Sequence, residues 1–97
     1  MISSSDFSSR VEKLIKSGVD ERIAPIKAVL DYGLEKGNIT ADEAAAALST
    51  LSSFLASHPG FVFRSPRERY EKGTEQSSDE AEMWSTIQPV LDKAQNL

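Results

Sequence analysis

Four basic side chains, Arg64, Arg67, Arg69 and Lys72, fall in one short stretch with Phe61, Phe63 and Tyr70 interleaved among them. Guanidinium groups beside aromatic rings can hold phosphate oxygens and stack on bases, and the same pairing is enriched where protein surfaces meet. Glu68 and Glu71 stand inside the stretch and offset part of its charge. On a short helix those acids lie within reach of the arginines, so a solvated, ion-paired face is the structural alternative. The candidate partner-binding set is therefore Phe61, Phe63, Arg64, Arg67, Arg69, Tyr70 and Lys72.

His58 is the only histidine, and an unperturbed imidazole titrates near neutrality, as a general base requires. Its place at the end of an apolar-periodic segment equally suits a helix C-terminus, where an imidazole meets the negative end of the dipole and the last carbonyls. Asp42 with Glu43, and Asp79 with Glu80 and Glu82, read as helix N-terminal charges, and they need no metal to explain them. The run Lys36 to Glu43 resembles the second half of an EF-hand loop. In that register the first ligand positions fall on Tyr32, Leu34 and Lys36, which supply neither carboxylate nor amide oxygen, so calcium is not expected. Met83 and Trp84 offer a second contact surface if exposed, with burial in the core as the expected outcome. The sequence holds no glycine-rich phosphate loop, nucleophile elbow or cofactor fingerprint, which predicts neither catalysis nor a cofactor.

The chain of 97 residues fits one domain with a single modest core. With 39% hydrophobic and 27% charged residues, and with Ala, Leu, Glu, Lys and Ser abundant, it favours helix over sheet. It contains no cysteine, which removes disulfides, thiol nucleophiles and thiolate metal sites. The first residues lack the pattern of a secretory signal and no apolar run is long enough to span a bilayer, so a cytoplasmic protein without membrane attachment is expected. A net charge of −4 disfavours general affinity for nucleic acid.

Phe7, Val11, Leu14 and Ile15 share one helical face after the caps offered by Ser3 to Asp6, predicting a helix from about Asp6 to Ser17 that Gly18 ends. Ile23, Ile26, Leu30 and Leu34 define a second helix. Pro25 moves its regular start from Asp20 toward Ala24, and Gly37 closes it. Thr40 and Glu43 then form a capping box that opens the longest apolar helix, Ala41 to Ser57, with Ala44, Leu48, Leu51 and Leu55 as its stripe. Its alanines, Ala44 to Ala47, predict a close helix crossing there, and His58, Pro59 and Gly60 end it.

Ser65, Pro66 and Glu68 predict a short helix from Pro66 to Lys72, followed by a mobile loop over 73–78. The last helix carries Met83, Ile87, Val90, Leu91 and Ala94 on its buried face. Pro89 within it predicts a kink near Ser85 to Gln88 or two short helices, because interior proline costs on the order of 3 kcal/mol. These elements give an all-α fold, a small four-helix bundle built on a central helical hairpin, with a short extra helix before the last one. The expected function is a non-enzymatic protein-binding module: an adaptor, regulator or inhibitor, with a homodimer through the alanine-rich face or the last helix allowed. The alternatives are a nucleic-acid-associated accessory protein using the basic 64–72 segment and an acidic mimic of nucleic acid.

Overall fold

Local backbone chemistry sets the helix ends in the computed structural model, which describes residues 1–61 and 78–97. Helix α1 spans Ser4–Lys16, two residues earlier than expected, because Ser3 is the capping residue and its Oγ accepts from the Asp6 N–H at 3.2 Å. Gly18, at φ +99°, turns the chain away, and the Val19 N–H returns to the Leu14 carbonyl at 3.0 Å. Helix α2 spans Ala24–Lys36 with Pro25 in its first turn, where a missing N–H costs nothing. Asp20 organises the approach: its carboxylate accepts from the Arg22 N–H at 2.7 Å, and its carbonyl accepts from Ile23 and Ala24. Gly37 ends α2 at φ +72°.

Helix α3 spans Ala41–Ser57, as the capping box predicts. The Glu43 N–H donates to Thr40 Oγ1 at 3.1 Å, and the Thr40 N–H donates to Glu43 Oε1 at 3.0 Å. Helix α4 spans Ser78–Ala94 as one continuous element through Pro89. The expected pair of short helices is not formed. Pro89 sits on the exposed side of α4, where the bond it removes falls toward solvent. The predicted Pro66 to Lys72 helix and positions 73–77 of the predicted 73–78 loop lie outside the described residues, while Ser78, expected in that loop, is the first residue of α4.

The four helices form an all-α bundle, with no strand among the described residues. Its core is made by α2, α3, α4 and the turn between α2 and α3. Leu30, Leu51 and Ile87 are each fully enclosed there, surrounded by Ile26, Ile39, Ala47, Leu55, Met83 and Leu91. Helix α4 packs against both arms of the α2–α3 hairpin. A close approach occurs at Gly33, where an added Cβ would stand 2.5 Å from the Ala94 Cβ and 2.7 Å from its Cα. The alanine run of α3 is divided between two sides. Ala44 and Ala47 face the core, while Ala45 and Ala46 are exposed.

Helix α1 takes no part in that core. It packs on α2 and on no other described helix, and none of its residues is fully buried. Helix α2 is therefore the middle layer of the molecule, apolar on two sides. Ile26 and Leu30 face the core, while Ala24 and Ala28, both 0% exposed, project from the opposite side under α1.

Candidate functional site

Two of the concave surfaces among the described residues are wide enough to admit a ligand. The first runs along α1. Phe7, Val11 and Ile15 recur at intervals of four, so they form a ridge on one flank of the helix, and Pro25 of α2 faces them across a groove of about 440 Å³. Ile15 is 44% exposed, a large value for an isoleucine inside a helix. Ser8, Glu12 and Lys16 form the polar margin, and Lys16 Nζ pairs with Glu12 Oε1 at 2.9 Å. The groove can receive apolar side chains.

The opposite flank of α1 is polar and holds the helix in place. Arg10 pairs with Asp6 at 3.0 Å and with Glu35 of α2, and its guanidinium lies 5.8 Å from the centre of the Tyr32 ring. Lys36 approaches the same ring at 5.7 Å. The hydrogen bond that Arg10 donates to the Glu35 carboxylate is the main reason its pKa is raised above the ordinary value.

The second concavity is a cleft of about 460 Å³ between the C-terminal half of α3 and the N-terminal half of α4. His58, Asp79, Glu82, Ser53, Ser57 and Thr86 line it, with Phe54 and Met83 beneath. The His58 ring stacks on Phe54 with centroids 4.4 Å apart, and its Nδ1 donates to the Phe54 carbonyl at 3.0 Å. Nε2 lies 3.5 Å from Asp79 Oδ2 on the first turn of α4. His58 thus lies between the Phe54 carbonyl and the Asp79 carboxylate, where the end of α3 meets the start of α4. This is the carbonyl contact expected of a histidine at a helix C-terminus.

Of the predicted partner-binding set, Phe61 alone falls among the described residues. It is half-buried and meets Phe54 edge to face at 4.9 Å and 85°. Phe63, Arg64, Arg67, Arg69, Tyr70 and Lys72 lie outside the described residues. Met83 is buried in the core, and Trp84 packs beside it with its indole N–H directed at Glu80 Oε1, 3.4 Å away. Glu43, at the closing position of the EF-hand-like lettering, is held by Lys93 Nζ at 2.9 Å as well as by Thr40. Those contacts, Lys93 first, lower its pKa, and Arg22 lowers that of Asp20 in the same way. Among the described residues, no group of three or more His, Cys, Asp or Glu side chains could hold a metal ion. No helix of the described residues is long and apolar enough to cross a membrane.

Sequence reasoning missed the α1 groove. The signal was present in α2, whose alanines at 24 and 28 oppose Ile26 and Leu30 and so require cover on both sides. Comparison of the chain with protein-family models, curated proteins and solved structures finds no match, so the reading of this surface rests on its own geometry.

Proposed function

We propose that this chain is a small non-enzymatic protein-binding domain, acting in the cytoplasm as an adaptor, regulator or inhibitor, and that α1 carries the contact. The observation that supports this reading is the apolar groove of Phe7, Val11, Ile15 and Pro25, open to solvent and bordered by Ser8, Glu12 and Lys16. An apolar centre with a polar margin is the arrangement of protein interfaces, where removing water from a few large side chains supplies most of the affinity. Helix α1 presents its ridge on a preformed helix, so little ordering cost remains at binding.

The test is quantitative affinity capture from the native host with the wild type and an Ile15→Glu variant. Ile15 lies outside the core, so the variant keeps the helicity and unfolding midpoint of the wild type. Captured protein is expected to fall roughly tenfold or more, because the new carboxylate would be buried without a partner. Equal capture by both chains, with the same proteins recovered, would refute the assignment to α1.

A further inference from the structure

We draw no further inference here: the strongest candidate, the cleft of about 460 Å³ between α3 and α4 lined by His58, Asp79 and Glu82, is a cluster of acidic groups with no second observation that points to a ligand, since every buried polar side-chain atom among the described residues already has a hydrogen-bond partner.

Discussion

Thr40 and Glu43 hold each other's backbone amides at the start of α3, and Lys93 of α4 holds the same carboxylate from across the hairpin. Thr40→Ala removes the hydroxyl that accepts the Glu43 N–H and should lower stability by about 1 kcal/mol, read from the urea midpoint at unchanged m-value. The carboxylates add a pH dependence of definite sign. Glu43 and Asp20 have folded-state pKa values below their ordinary ones, so their contribution is complete above the ordinary carboxylate pKa. It is lost as pH falls through the lowered values. Urea midpoints should therefore decline on acidification, and less steeply in Glu43→Gln, which retains a capping side chain without the titrating charge. A slope identical to the wild type would show that Glu43 does not contribute. The capping box was legible in the sequence because both partners lie within one turn. Lys93, separated from Glu43 by 50 positions, left no local mark.

At Gly33 helices α2 and α4 approach closely, and the importance of this glycine belongs to the pair of helices more than to the residue. Gly33→Ala would gain about 1 kcal/mol of helix propensity. It would also force a methyl group against both the Cβ and the backbone of Ala94, an overpacking cost of roughly 1–3 kcal/mol. Because a backbone atom cannot rotate aside, the second effect wins. Net destabilisation of up to roughly 2 kcal/mol is expected, and Ala94→Gly in the same chain should recover only part of it, as a double-mutant cycle would reveal. Helix identities, the Ala24 start of α2 and the Gly18 and Gly37 stops were readable because periodicity, proline and glycine act over a few residues. A close crossing was expected at the four alanines of α3, of which Ala44 and Ala47 turn into the core; the approach at Gly33 left no mark in the sequence, since small size alone does not say which side of a helix meets a neighbour. The continuity of α4 through Pro89 was likewise a matter of exposure, which a linear sequence does not contain.

The molecule as a whole has a graded interior. The α2, α3 and α4 layer encloses Leu30, Leu51 and Ile87 completely, whereas α1 rests on the outer side of α2 with every residue at least partly exposed. Native-state hydrogen exchange should separate the two, with the amides of α1 exchanging well before those of α2 to α4. Uniform protection across all of these helices would contradict an outer layer. The amphipathic pattern of α1 told which face turns inward but not how deeply, and the basic 64–72 segment that the composition singled out lies outside the described residues. The seat of Asn38 against the end of α4, with its amide donating to the Ala94 carbonyl at 2.8 Å, has a consequence for biosynthesis. The hairpin made by α2 and α3 leaves the ribosome before the helix that fills it, so its apolar cleft stays open until Ala94 has emerged from the exit tunnel. Nascent chains are therefore most in need of a chaperone during that interval.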